Sequence, residues 1–102
     1  MCFVSGTTGY DYATMTMPDG VDAQARNVLG TIGTVLDEAG FGMADIVRVN
    51  IIITDASYAD IVFPILGQTF GDIGPAATMI VAGLVRPEMK IEIEVTARRQ
   101  TP

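Results

Sequence analysis

Hydrophobic and polar residues change their spacing several times along the chain, and each change marks a predicted element. The chain opens in the apolar run MCFV, closed by a Ser-Gly pair, which is typical of the end of a strand. Residues 7–20 mix turn formers with Tyr10 and Tyr12 and finish in Pro-Asp-Gly. This composition predicts a long loop, with a short strand at about residues 13–17.

After this loop the apolar residues recur at alternate spacings of four and three, the period of an amphipathic helix. The predicted apolar stripe comprises Val21, Ala25, Val28, Ile32, Val35 and Ala39. Asp19 or Asp22 is expected to cap the start of this helix, and Gly40 is expected to end it in the left-handed conformation. Gly30 and Gly33 lie inside it, where each costs up to about 1 kcal/mol relative to Ala. We therefore expect close packing of the helix backbone on a sheet at these two glycines.

A central strand and a second helix are predicted next. The stretch DIVRVNIIITD, residues 45–55, alternates apolar and polar residues and then becomes wholly apolar, as strands buried on both faces do. The helix is predicted from about Ser57 to Phe70, capped by Asp55 or Ser57, with Pro64 inside it.

Two further strands complete the chain, ATMIVAGLV at residues 77–85 and KIEIEVTAR at residues 90–98, joined by the turn RPEM. The order strand, helix, strand, helix, strand, strand predicts an α+β sandwich of helices against a sheet. With 102 residues the chain has the usual size of one domain, predicted to span residues 1–102.

The composition restricts the partners. Apolar residues make up 49% of the chain, more than a domain of this size can bury, so we expect an interface between subunits. A net charge of −6 without a basic run disfavours nucleic acid as a partner. No apolar run is long enough to cross a bilayer, so no membrane partner is predicted.

Candidate chemistry is limited by what the chain lacks. There is no His, and Cys2 is the single cysteine, so we predict neither a metal site nor a disulfide, and we interpret Cys2 as core filling. A reduced, cytoplasmic protein is predicted. The carboxylates that attract attention are Glu92 and Glu94, which alternate with Ile91 and Ile93 and must therefore share the face turned away from the helices. They either point into water or lie partly desolvated against another subunit, where a carboxylate suits proton transfer.

The motifs FVSG, AQARNVLGTIGTVLDEAG, DIVRVNIIITD, PAAT and KIEIEVTARR occur in an order and spacing that resemble the RidA/YjgF-like imine deaminase family, also labelled the endoribonuclease L-PSP family. The resemblance spans Phe3 to Arg99. It implies two helices packed on one face of a mainly antiparallel mixed sheet (the chorismate-mutase-like, or YjgF, fold). It also implies a homotrimer whose three sheets form a central barrel, with small-molecule sites between subunits.

The resemblance further implies hydrolysis of reactive imines or enamines to carbonyl compounds and ammonia, with no cofactor. The family's water-activating glutamate falls on Glu92. Its binding positions fall on Thr78, on Met79, which offers a backbone carbonyl, and on Gly6 of FVSG. Tyr12 is a candidate for the space of a pocket tyrosine that the family carries ahead of FVSG.

Two positions depart from the family pattern. The arginine that pairs with the substrate carboxylate is replaced by Ala77, and an asparagine in the second helix is replaced by Phe63. Losing a charged, hydrogen-bonded pair costs about 1.5–3 kcal/mol of binding, so ordinary 2-imino acids are expected to bind poorly. Arg86 could replace the missing arginine, but a solvated turn residue is the preferred interpretation.

Three functions therefore stay open for the sequence. The first is hydrolysis of an imine or enamine that lacks a carboxylate, assisted by Glu92. The second is a non-catalytic trimeric module that binds a small metabolite. The third, an endoribonuclease, is disfavoured because the chain has neither a His nor a basic groove for phosphate.

Overall fold

Residues 1–99 are described by a computed structural model, in which two helices pack on one side of a four-stranded sheet. The strands are β1 (Cys2–Thr8), β2 (Ile46–Ile53), β3 (Ala76–Val81) and β4 (Ile91–Ala97), and the helices are α1 (Val21–Glu38) and α2 (Ala59–Phe70). Short 3-10 turns occupy Met43–Asp45 and Ala56–Tyr58. The predicted α+β class is confirmed, and the last three residues of the predicted domain, 100–102, lie outside the described residues.

The sheet has the strand order β1-β4-β2-β3. Strand β4 is antiparallel to both of its neighbours, β1 and β2, whereas β3 runs parallel to β2 because α2 connects them. The sheet is therefore mixed and mainly antiparallel, as expected. Strands β1 and β3 form its two edges.

The core lies between the helices and one face of the sheet. Ile91, Ile93 and Val95 of β4 are at most 2% exposed beneath the helices. The predicted stripe of α1 is right as far as Ile32 and wrong beyond it, because a period of 3.6 residues carries the buried side to Leu36. Val35 is 38% exposed, and the remaining predicted residue, Ala39, follows the last residue of the helix.

The predicted start of α1 at Val21 is confirmed, but its predicted cap, Asp19 or Asp22, is wrong. The N-cap is Gly20, and no side chain caps the helix. Asp22 lies in the first turn, where its Oδ2 is 3.4 Å from Arg26 Nη1. The predicted end is confirmed, since Gly40 has φ +82°. At the second helix, Asp55 does act as a cap, but of the preceding 3-10 turn, where its Oδ1 accepts from the backbone N–H of Ser57 at 2.8 Å.

Gly30 and Gly33 do not pack on the sheet, contrary to expectation. A Cβ at Gly30 would meet no atom within 4 Å, and one at Gly33 would meet only Met43 Sδ, at 3.8 Å. The side of α1 that is buried is instead the one that carries Val28 and Ile32.

Two strand boundaries differ from the expectation. The loop after β1 has no strand at residues 13–17, only an isolated bridge between Asp11 and Thr16. Strand β3 ends at Val81 and not at residue 85, although the Ala82 N–H still donates to the Ile53 carbonyl oxygen of β2 at 3.1 Å. Within residues 1–99, neither helix combines the length and the apolar character that crossing a membrane requires.

Candidate functional site

Glu92 lies on β4 with its side chain on the sheet face opposite the helices, where it is partly buried. It is held there by β1, whose pairing with β4 is irregular between Val4 and Thr7. A Cβ at Gly6 would overlap Glu92 Oε1 and would lie 2.6 Å from its Cδ. The carboxylate therefore occupies space that only a glycine leaves free, and Gly6 and Glu92, predicted as site residues from separate motifs, form one unit.

Glu94 shares this face but is already engaged. Its Oε1 accepts a hydrogen bond from Asn50 Nδ2 at 2.8 Å, and its side chain is exposed. Asn50 pairs in register with Glu94 on one side and with Thr78 on the other. Thr78 is thus on the same face as both glutamates, at the end of a polar row across three strands.

Ala77 and Met79 lie on the other side of β3, facing α2. With Phe63 they line a cleft of about 560 Å³ between α2 and the edge of the sheet. The remaining lining residues are Val49, Ile51, Leu66, Gly67, Phe70, Gly71, Gly74 and Pro75. None of these side chains is charged, so this chain offers no cation in the cleft to pair with a carboxylate. Ala77 and Phe63, the two positions predicted from the sequence to depart from the family pattern, line the same cleft.

A single chain does not bring Ala77 and Glu92 together. Ala77 pairs with Val49, whose side chain is buried beneath the helices. Glu92 pairs with Ile52 on the sheet face opposite the helices, called the open face below. Tyr12 lies in a third place, a groove beside α1. Arg86 is in the exposed turn between β3 and β4, and its side chain makes no hydrogen bond or ion pair within the described part of the chain.

Comparison with models of protein families assigns the chain to a family. The model of the endoribonuclease L-PSP family matches residues 1–99. The chain belongs to this family.

Solved structures agree with that assignment. A Mycobacterium tuberculosis member of the YjgF/YER057c/UK114 family is 36% identical over 93% of this chain and 75% of its own, with a TM-score of 0.84. YyfA of the Rid protein family from Yersinia pestis is 30% identical over 93% of this chain and 77% of its own, at TM-score 0.87. TdcF of Escherichia coli, solved with bound serine, is 26% identical over 96% of this chain and 80% of its own, at TM-score 0.89. The RidA/YjgF resemblance is thereby confirmed.

One residue that sequence reasoning missed links the loop that follows β1 to the turn that precedes β4. Gln24 of α1 has no exposed surface. Its Nε2 donates to the carbonyl oxygens of Pro18 at 2.8 Å and Glu88 at 2.9 Å, and its Oε1 accepts from the backbone N–H of Lys90 at 2.9 Å. The signal was a polar residue within the apolar stripe of α1.

Gln24 also contacts β1 through the loop that follows it. A Cβ at Gly9 would lie 2.6 Å from Gln24 Cα, so the loop backbone packs directly on the helix. Asn27 Nδ2 donates to the Gly9 carbonyl oxygen at 3.0 Å. The ends of β1 and β4, which carry Gly6 and Glu92, are therefore both anchored to α1.

Among residues 1–99 no three His, Cys, Asp or Glu side chains are grouped as a metal ion would require.

Proposed function

We propose that this protein acts on a small molecule at a site formed between the subunits of a homotrimer. The cleft of Ala77, Met79 and Phe63 on one subunit would face the Gly6–Glu92 unit of the next. The observation that carries the proposal is the carboxylate of Glu92, held over Gly6 on an open sheet face. Each half is incomplete alone, because the cleft has no acid and the open face has no enclosed cavity around Glu92.

Exposed apolar residues support the assembly. Phe3 and Ile80 lie on the open sheet face and are 75% and 50% exposed. Large apolar side chains exposed on both edge strands of one sheet face are typical of a face that another subunit covers. The expected oligomer has about three times the mass of the 10.8 kDa chain.

The proposed reaction is hydrolysis of an imine or enamine. Glu92 accepts a proton from a water molecule as the water oxygen attacks the imine carbon. The same carboxyl group then returns the proton to the nitrogen, which gives a carbinolamine. It next relays the proton of the new hydroxyl group to the nitrogen as the carbon–nitrogen bond breaks, so that a carbonyl compound and ammonia leave. No electrons are transferred, so the step needs only water.

The preferred substrate is an imine with an apolar substituent and no carboxylate. The cleft presents Phe63, Ala77 and Met79 to the substrate, and none of its lining residues is charged. A carboxylate placed there would lose its hydration without gaining a partner, whereas an aryl or branched alkyl group would bury apolar surface.

Binding without turnover is the second candidate function. It is favoured by the cleft itself, whose lining around Ala77 contains no acid or base to move a proton. A cleft of this kind would then sequester the same neutral or cationic imine, or its carbonyl product.

A matched pair of imines tests the proposal. A flavin amine oxidase acting on 2-phenylethylamine and an amino-acid oxidase acting on phenylalanine produce imines with the same phenyl group, without and with a carboxylate. We expect this protein to accelerate hydrolysis of the first, measured by trapping the surviving imine with semicarbazide, and to leave the second nearly unaffected.

Variants separate the candidates. Glu92→Gln is expected to lower turnover by about 100-fold or more, as loss of a general acid–base does. Glu94→Gln, the matched control on the same face, retains it. Ala77→Arg is expected to gain roughly tenfold in affinity for the phenylalanine-derived imino acid. Saturable binding of the neutral imine's carbonyl product without turnover would support the binding module. An outcome with no binding and no turnover would contradict both functions.

The assembly has its own test. Light scattering on the purified chain is expected to give a trimer, and Ile80→Asp is expected to give monomers because it places a charge in the apolar interface. A wild-type monomer of about 11 kDa at micromolar concentration would contradict the intersubunit site.

A further inference from the structure

A second groove, of about 760 Å³, runs between the loop that follows β1 and the solvent side of α1. Cavities of 300–1,000 Å³ are the usual size of small-molecule sites. The groove shares no lining residue with the apolar cleft, and Glu92 does not reach it. Nothing in the proposed reaction uses it.

Two aromatic rings form its loop wall. The rings of Tyr10 and Tyr12 are 6.2 Å apart at their centroids and are tilted by 46°. Tyr10 donates its hydroxyl hydrogen to Glu88 Oε1 at 3.4 Å. The backbones of Asp11 and Thr16 exchange two hydrogen bonds, of 2.7 and 3.3 Å. The rings are thus presented on a loop with a fixed backbone, and aromatic faces attract cations within about 6 Å of the centroid.

The helical wall of the groove contains Gly30. A glycine inside a helix costs up to about 1 kcal/mol relative to Ala. No packing requires it here, because a Cβ at Gly30 would meet nothing within 4 Å. The missing side chain leaves open space opposite the loop that carries Tyr10 and Tyr12.

The charges around the groove favour a cation. Asp11 and Glu38 line it with one basic residue, Arg26, whose Nη1 is already 3.4 Å from Asp22 Oδ2. The Glu38 side chain makes no hydrogen bond or ion pair to any residue in the described range 1–99. The last turn of α1 contains no basic side chain, and a helix C-terminus carries a partial negative charge.

One cation does lie close to that end of the helix. Arg99 donates from Nη2 to the carbonyl oxygen of Gly40 at 3.2 Å, and its guanidinium stacks 4.8 Å from the ring centroid of Phe41. Neither Arg99 nor Phe41 lines the groove. The Glu38 carboxylate of the groove is therefore left for a ligand, and Asp11, whose Oδ1 accepts from the backbone N–H of Ala13 at 3.0 Å, adds a second negative charge.

We propose that this groove is a second ligand site, and that it takes a small organic cation whose alkylated ammonium group packs against Tyr10 and Tyr12. Asp11 and Glu38 supply the opposite charge, and Gly30 supplies the room. The site is separate from the Glu92 reaction, so it can bind its ligand whether or not that reaction occurs.

A charged probe and its neutral isostere test the proposal. Choline and 3,3-dimethyl-1-butanol have the same shape and differ in the charged nitrogen. The chain has no Trp and three Tyr, two of which line the groove, so tyrosine fluorescence reports binding directly. We expect saturable choline binding that is about fivefold or more tighter than that of the neutral alcohol, as about 1 kcal/mol of cation–π attraction gives. Equal affinities, or no choline binding, would overturn the proposal.

Variants locate the binding. Tyr12→Leu is expected to weaken choline binding about fivefold, whereas Tyr12→Phe, which keeps the aromatic face, retains it. Gly30→Leu fills the groove and should abolish binding while preserving the helix. Gly33→Ala is the matched control, because it also replaces a glycine of α1 but does not line the groove. Undiminished binding to Gly30→Leu would show that choline binds elsewhere and would refute the assignment.

Discussion

The two faces of the sheet differ in burial and in polarity, and successive residues of β4 show the difference. On the face beneath the helices, Ile91 and Ile93 have no exposed surface. On the opposite face, Glu92 is partly buried and Glu94 is exposed. The covered face is complete within one chain: none of the buried side-chain N or O atoms in the described range lacks a hydrogen-bond partner.

The open face is incomplete in one chain. It exposes Phe3 and Ile80 and holds the carboxylate of Glu92 over Gly6, an arrangement that contributes nothing evident to the fold. Residues whose presence folding does not explain are the ones to test for function. Substitutions on the two faces should therefore separate stability from activity.

Adjacent residues of β4 give the largest predicted contrast. Ile93→Ala is expected to lower the free energy of unfolding by about 4 kcal/mol, because it leaves a cavity in a fully buried site. Glu92→Gln is expected to change it by less than about 0.5 kcal/mol. Urea denaturation followed by circular dichroism measures both. A Glu92→Gln loss as large as that of Ile93→Ala would mean that both faces stabilise the fold and would remove the distinction.

Substitutions of Gln24 test whether buried polar contacts on the helix side of the sheet also stabilise the fold. Gln24→Leu is expected to cost about 3 kcal/mol, because it removes the hydrogen bonds to Pro18, Glu88 and Lys90 from a side chain with no exposed surface. Gln24→Glu keeps the acceptor for Lys90 but loses both donors and buries a carboxylate against the Pro18 and Glu88 carbonyl oxygens, so its unfolding free energy should be no higher than that of Gln24→Leu at neutral pH. Equal stability of Gln24→Leu and wild type would show that the loops are anchored by other contacts.

The sequence predicted the covered face well, since alternation in β4 and helical spacing in α1 both follow from burial on one side. The register between strands could not be predicted. Both faces of β3 are apolar in sequence, so the pattern did not reveal that Ala77 pairs with buried Val49 and lies away from Glu92. The arrangement of Gly6 over Glu92 depends on an irregular register between β1 and β4, which has no sequence signal either.

Gly6→Ala should alter the open face with little effect on stability. Its Cβ would displace the Glu92 carboxylate, but that group is the end of a flexible side chain and can move. We expect an unfolding free energy within about 1 kcal/mol of wild type. Imine hydrolysis is expected to fall by about tenfold or more, since the general base is then misplaced. Unchanged turnover with Glu92→Gln inactive would show that the carboxylate acts from another position.

Asp55 lies outside the sheet, and its substitution is expected to have the smallest effect on stability. This effect serves as a baseline for the other substitutions. Asp55 Oδ1 accepts hydrogen bonds from the backbone N–H of Ser57 at 2.8 Å and from the Ser57 hydroxyl at 2.7 Å, and these bonds lower the pKa of Asp55 below its usual 3.8. A carboxyl whose pKa is depressed on folding contributes stability that is fully present above the unfolded pKa and is lost as the pH falls through the folded one.

Asp55→Asn keeps an oxygen acceptor for the cap and removes the titration. The wild type is therefore expected to lose slightly more stability than Asp55→Asn between about pH 5 and about pH 2, and the difference should vanish at the lowest pH, where Asp55 is protonated in both states. Urea denaturation across this range measures it. If the two proteins instead lose stability in parallel, the hydrogen bonds to Ser57 do not favour the charged carboxylate of Asp55.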